Sequence, residues 1–135
     1  MFTRIVVAYD HSPGARRALA EALTLGDRAE LIAVAVQEHL PNYSGVLGED
    51  HHFEDQACQR WLRAAVASAG EHDIGLITEA RTGHVAQELI RAVEEREADL
   101  IVLGHNGHSA TWGQFLGTTT EKVSRHVQCS VLIVR

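Results

Sequence analysis

EADLIVLGHNG, residues 97–107, joins an unbroken apolar run to a turn holding two glycines. Leu100, Ile101, Val102 and Leu103 follow one another with no polar residue between them. A strand with one wet face alternates apolar and polar residues, whereas a strand covered on both faces reads as a continuous apolar run. The stretch therefore predicts a strand of a parallel sheet, ending at Gly104 and followed by a glycine turn.

Four more stretches read as strands: RIVVAY (4–9), ELIAVAV (30–36), IGLITEA (74–80) and SVLIVR (130–135). The third has Gly75 and Thr78 inside it and reads as an edge strand. Helical patterns lie between the strands. SPGARRALAEALTLG (12–26) opens with Ser12 as N-cap and Pro13 at the first helical position, ends at Gly26, and lines up Ala15, Leu19, Ala22 and Leu23 on one face. FEDQACQRWLRAAVASAGEH (53–72) spaces Ala57, Trp61, Ala65 and Ala69 four apart, and HVAQELIRAVEERE (84–97) offers Val85, Leu89 and Val93. In TTTEKVSRHV (118–127), Thr118 and Glu121 fit a capping box.

Strand and helix thus alternate, with a last strand at the end. This order predicts an α/β fold: a single-domain Rossmann-like or flavodoxin-like open parallel sheet of five strands, with helices on both faces, over residues 1–135. One connection, residues 37–52, is long enough to be functional.

With 135 residues, 45% of them hydrophobic, the chain has enough apolar material for one core. A formal net charge of -6 argues against nucleic acid and anionic membrane as partners. Cys58 and Cys129 fit no metal or redox spacing and read as reduced packing residues. No signal-peptide pattern and no membrane-length apolar run is present, so the expected compartment is the cytoplasm.

Open sheets of this kind bind ligands beyond the carboxyl ends of their strands, where the strand order reverses. Asp10 follows the first strand and Gly104 ends the fourth. They share one crevice if those two strands are neighbours; an order with the first strand beside the third is also compatible with the pattern. After Gly104-x-x-Gly107 come nine residues and then Gly117-Thr118, at the start of the last helix. Glycines let backbone amides turn and converge on an anion. A helix N-terminus adds unpaired N–H groups and a favourable dipole. Such a turn can hold phosphate without lysine.

The Gly-x-x-Gly, nine residues, Gly-Ser/Thr spacing resembles the nucleotide-binding signature of the universal stress protein family. IVVAYDHSPGARRAL, Gly83, EADLIVLGHNG and GTTTEKVSRHVQCSVLIV extend the resemblance over the whole chain. The resemblance implies strand order 3-2-1-4-5, a homodimer built through the last strand, and ATP or another adenine nucleotide in the crevice, with Mg2+ on the phosphates. Carried over by position, Asp10 lies near ribose and adenine, Val36 contacts the adenine edge, and Gly104, Gly107, Gly117, Thr118 and the neighbouring Thr119 hold the phosphates. Many family members carry Lys or Arg between the second and third glycines; here HSATWGQFL (108–116) has neither. His108, with His105, compensates in part below a pKa near ~6.5.

Plainer roles stand beside these. Asp10 and Thr118 also suit helix capping, Val36 suits the core, Gly83 a strand–helix turn, and Trp112 either a cover for the site or a partner surface. His51 and His52 lie among carboxylates but lack a third histidine at a suitable spacing, so a solvated loop leading into a helix is the expectation there. The function expected is a nucleotide-binding regulatory protein of stress response. Slow ATP hydrolysis or phosphoryl transfer is an alternative, although the chain has no Walker lysine motif. A nucleotide-free dimer or chaperone-like protein acting through contacts is another.

Overall fold

Apolar runs and amphipathic stretches form the alternating elements that the pattern predicts. The computed structural model describes residues 1–38, 51–105 and 118–135, with the side chains of 51–56 and of Thr118 left outside the description. The elements are β1 (Arg4–Ala8), α1 (Pro13–Leu25), β2 (Glu30–Glu38), α2 (His51–Gly70), β3 (Leu76–Gly83), α3 (Val85–Arg96), β4 (Leu100–Gly104), α4 (Thr118–His126) and β5 (Ser130–Val134).

All pairings are parallel, and the strand order is β3-β2-β1-β4-β5. β1 pairs with β2 on one side (Val6↔Ile32) and with β4 on the other (Val6↔Ile101). The order with β1 beside β3 is therefore excluded: β2 stands between them.

Successive side chains of a strand point to opposite faces, so one apolar run supplies two cores. Ile5, Val7 and Tyr9 pack with α1 and α2, against Ala15, Leu19, Ala22, Leu62 and Ala65. Val6 and Ile101 pack with α3 and α4, against Leu89, Val93 and Val123. Cys58 is a buried member of the first core and Cys129 packs against the second, neither of them in a disulfide. Burial pushes the Cys129 thiol up from its ordinary pKa, which suits a packing role.

The helix ends follow their local chemistry. Ser12 caps α1, its Oγ accepting the Ala15 N–H at 3.1 Å, an interaction worth about 1 kcal/mol. Gly26 follows α1 without a left-handed backbone. It is there for room: a Cβ would stand 2.9 Å from both the Ala22 carbonyl oxygen and the Leu31 methyls. Glu121 pairs with Arg125 at 2.7 Å within α4; the capping box with Thr118 involves a side chain outside the description.

β3 differs from the expected 74–80. Ile74 and Asp73 donate their N–H groups to Ala69 O and Gly70 O, so both residues are used in closing α2 and the strand starts at Leu76. It runs on to Gly83, carrying β2 with it to Glu38. Arg81 can lie in the strand because its guanidinium is held by Glu79, Glu88 and Glu95 at 2.9–3.0 Å.

Candidate functional site

β1 and β4 are neighbours, and the chain leaves them in opposite directions. From β1 it turns into α1, which covers one face of the sheet; the helix that follows β4, α4, lies on the other face. Departing connections of this kind leave a crevice at the carboxyl ends of the two strands. Asp10 follows the carboxyl end of β1 and Gly104 ends β4 beside it.

The β1–α1 turn is closely tied. Tyr9 extends the ladder one residue past β1, donating its N–H to Val34 O at 2.9 Å. Its ring is buried, 4% exposed, and its Oη is hydrogen-bonded to His11 Nδ1 at 3.1 Å. Burial raises the phenol pKa, Arg16 opposes that shift and Asp10 adds to it. His11 has φ 59°, in the left-handed region. Asp10 Oδ1 accepts the Ser12 N–H at 3.0 Å. The helix cap is Ser12, so Asp10 shapes the turn ahead of the cap.

Gly104 meets that turn directly. A Cβ at Gly104 would lie 2.6 Å from Gly14 C, 2.7 Å from Gly14 O and 3.0 Å from Ala15 N. Its missing side chain lets the first turn of α1 seat against the end of β4. The carbonyl of Gly104 accepts the Thr120 hydroxyl at 3.2 Å, and His105 N–H donates to Val134 O at 2.8 Å. Thr120 thus ties α4 to the end of β4. The sequence reading named Thr118 and Thr119 and missed Thr120, although its spacing of three from the buried Val123 marks the sheet-facing side of the helix.

Val36 lies two residues beyond Val34, which is already level with the end of β1. It is half-buried against the α3/α4 core. Thr119 is half-buried in the first turn of α4. The described residues therefore place Asp10 and Gly104 at neighbouring strand ends, Val36 on the longer strand beside them, and Thr119 at the start of the helix beyond. Gly107, His108, Trp112 and Gly117 lie outside the described residues, as do the side chains of His51, His52 and Thr118. Among the described residues no group of three His, Cys, Asp or Glu side chains could hold a metal ion.

Sequence reading also missed a charged cluster at the β3 edge. Arg81 bridges Glu79, Glu88 and Glu95; Arg91 pairs with Glu88 at 2.9 Å and Arg96 with Glu79 at 3.0 Å. The hydrogen bonds it donates to Glu95 hold the Arg81 guanidinium above its usual range, against the effect of burial, with Glu79 and Glu88 assisting. Glu88 and Glu95 are seven apart and share a helix face, which was the available signal. The cluster clamps α3 onto β3, and Gly83, with φ 147°, makes the turn between them.

The model of the universal stress protein family matches residues 1–135. The chain belongs to that family. A universal stress protein of Thermus aquaticus, encoded in the 3' region of a QAH/OAS sulfhydrylase, is 34% identical over 145 residues, covering all of both chains. The solved structure of universal stress protein UspA from Lactobacillus plantarum superposes with a TM-score of 0.87 at 29% identity, over 98% of this chain and 97% of that one. Two more distant structures share the fold: a universal stress protein in complex with cAMP (TM-score 0.79, 24% identity, 99% and 97% covered) and a family member from Arabidopsis thaliana with AMP bound (TM-score 0.74, 19% identity, 98% and 90% covered). No helix among the described residues is long and apolar enough to cross a membrane.

Proposed function

We infer that this family member binds an adenine nucleotide in the crevice between the ends of β1 and β4, and acts in stress response as a regulatory homodimer. The observation that carries this reading is the adjacency of β1 and β4 with their following helices on opposite faces. It gives Asp10 and the Gly104 turn a common opening. The residues suit an adenosine moiety: the Asp10 carboxylate accepts from ribose hydroxyls or the adenine amine, and the half-buried Val36 offers an apolar edge to the base. The AMP and cAMP carried by two fold relatives support the ligand class.

For ATP, the phosphates fall to Gly107, His108, Gly117, Thr118 and Thr119, through amides, hydroxyls and the N-terminus of α4. Mg2+ would be held chiefly by the phosphates themselves. The absence of Lys and Arg from residues 104–119 suits holding a nucleotide better than turning it over, since phosphoryl transfer depends on neutralising charge. Residues 1–135 act here as one nucleotide-binding domain, working in the cytoplasm. The dimer uses β5, an edge strand whose residues Ser130–Val134 carry no charge and whose apolar side chains are only half-buried.

The test begins with purified protein, denatured and assayed for released adenine nucleotide. Titration calorimetry then measures ATP with Mg2+, AMP and cAMP on the wild type and on Gly117→Val. Binding in the wild type and its loss in the variant are expected, because a β-branched side chain fills the space of the phosphate. A wild type that carries no nucleotide and binds none at millimolar concentration refutes the reading and favours a dimer acting by protein contacts alone.

A further inference from the structure

Three described residues other than glycine have a left-handed backbone: His11, Asp73 and Glu97. Two of them close helices. Asp73 donates its N–H to Gly70 O after α2, and Glu97, the C-cap of α3, donates to Glu94 O and Val93 O. Such positions commonly take this conformation because it satisfies the last helical carbonyls. His11 closes no helix. It stands between the end of β1 and the N-cap of α1, at the mouth of the crevice. A left-handed residue with a side chain persists where its surroundings over-determine it.

The surroundings at His11 do so. Its ring meets the Tyr9 ring edge-on, with centroids 5.9 Å apart at 62°, and its Nδ1 is hydrogen-bonded to Tyr9 Oη at 3.1 Å. Tyr9 is a firm anchor, being buried in the core and tied through its N–H to Val34 O. On either side of His11, Asp10 and Ser12 are joined by the Oδ1···H–N bond of 3.0 Å. Two residues after Ser12, the Gly14 backbone seats against Gly104 with no room for a Cβ. A change in the His11 backbone therefore moves Asp10 and disturbs the contact with β4 together.

We propose that His11 is a positioning residue of the crevice: clamped by the Tyr9 hydroxyl, it sets the turn that aims the Asp10 carboxylate and seats α1 against Gly104. Its effect on ligand affinity rests on the adenine-nucleotide reading; its effect on the turn does not. Removing the Tyr9 hydroxyl releases the ring, and the backbone at position 11 relaxes toward ordinary φ. Alanine disfavours the left-handed backbone at least as much and has no ring to be held. Glycine adopts the left-handed region freely.

The variants that decide this are Tyr9→Phe, His11→Ala, His11→Gly and the pair Tyr9→Phe with His11→Gly. Each is measured by AMP calorimetry and by NMR hydrogen exchange of the Ser12 amide. Tyr9→Phe and His11→Ala are each expected to weaken AMP about five-fold and to speed Ser12 exchange by about the same factor, the net worth of one hydrogen bond. His11→Gly recovers both to within about two-fold of wild type, as a residue with no left-handed penalty should, and adding Tyr9→Phe to it changes neither further. Unchanged Ser12 exchange in Tyr9→Phe overturns the role, as does an equal effect of Tyr9→Phe in the glycine background, since Tyr9 would then be acting elsewhere. If the wild type binds no adenine nucleotide, the nucleotide reading fails while Ser12 exchange still decides what His11 does.

Discussion

Gly104→Ala tests how rigidly the two edges of the crevice are joined. The added Cβ would sit 2.6 Å from the Gly14 carbonyl carbon and 2.7 Å from its oxygen, about 1 Å inside ordinary van der Waals separation. Both neighbours are backbone, so no side chain can swing aside. Either α1 moves away from β4 or the end of β4 bends, and the Thr120 bond to Gly104 O is strained in either case. Overpacking of this kind costs about 1–3 kcal/mol, and a contact with backbone belongs at the upper end. Unfolding entropy near 2.1 cal/mol/K per residue gives about 0.28 kcal/mol/K for a chain of this size, so about 3 kcal/mol lowers Tm by about 10 °C. Gly70→Ala is the control. Nothing lies within 4 Å of a Cβ there and the residue is helical, so Tm should rise by about 2 °C. Scanning calorimetry at one protein concentration measures both, since self-association would otherwise move the midpoint. A Gly104→Ala midpoint within about 2 °C of wild type would mean that the turn has slack, and the rigid link between Asp10 and Gly104 would be refuted.

Arg81→Ala leaves Glu79, Glu88 and Glu95 facing one another without their shared cation. With Arg81 only 15% exposed and Glu88 10%, the loss should be about 1–3 kcal/mol, less than for a fully buried pair, and urea unfolding at low and high salt should show added salt restoring part of it. At the amino ends of the strands, backbone hydrogen bonds from Thr3 and then Arg4 hold the Asp99 carboxyl below its ordinary pKa. A lowered folded pKa contributes stability above the unfolded value, near pH 4, and that stability is lost as pH falls through the folded value. Asp99→Asn should therefore lower the unfolding midpoint at pH 7 and flatten its decline on acidification; parallel curves for variant and wild type would contradict this. Ile133 of β5 is half-buried and belongs to neither core among the described residues. Ile133→Lys should turn the proposed dimer into a monomer by sedimentation velocity with the fold intact by circular dichroism, and a dimer that survives would move the interface elsewhere.

The fold was legible because each central strand is covered on both faces. Covering both faces removes the alternation of wet and dry residues and leaves runs such as IVV and LIVL, whose shortness and β-branched content mark them as strands. The strand order was not legible from those runs, because a buried strand pairs equally well on either edge; the resemblance supplied it. β3 was the least legible strand, for a physical reason. On one face it carries Glu79 and Arg81 where a pattern expects apolar residues, and beyond their own pair these charges are held by Glu88, Glu95 and Arg96 of α3, which folds back from later in the chain. At the site, Asp10 and Gly104 could be named from their position after strands. The reason Gly104 must be glycine could not, because the obstacle is the Gly14 backbone, about ninety residues earlier. His11 was invisible for a similar reason: no sequence pattern announces a left-handed histidine held by a phenol.

The two edges of the sheet are chemically unlike, and that bears on assembly. An exposed strand edge offers unpaired N–H and C=O groups to any second strand, and proteins guard such edges with charge. β3 is guarded. Glu79 and Arg81 lie along it, locked into a network with α3 whose carboxylates and guanidinium groups would lose water if another chain docked there. Among the described residues β5 has no such guard: Ser-Val-Leu-Ile-Val is uncharged, and four of its five side chains are half-buried apolar groups. Burying them costs no charge desolvation and removes apolar surface from water. A sheet guarded at one edge alone would pair once, through β5 as proposed, and then stop. That asymmetry favours a closed two-chain assembly over a growing one, and it ties the proposed dimer to the same charged cluster that holds α3 in place.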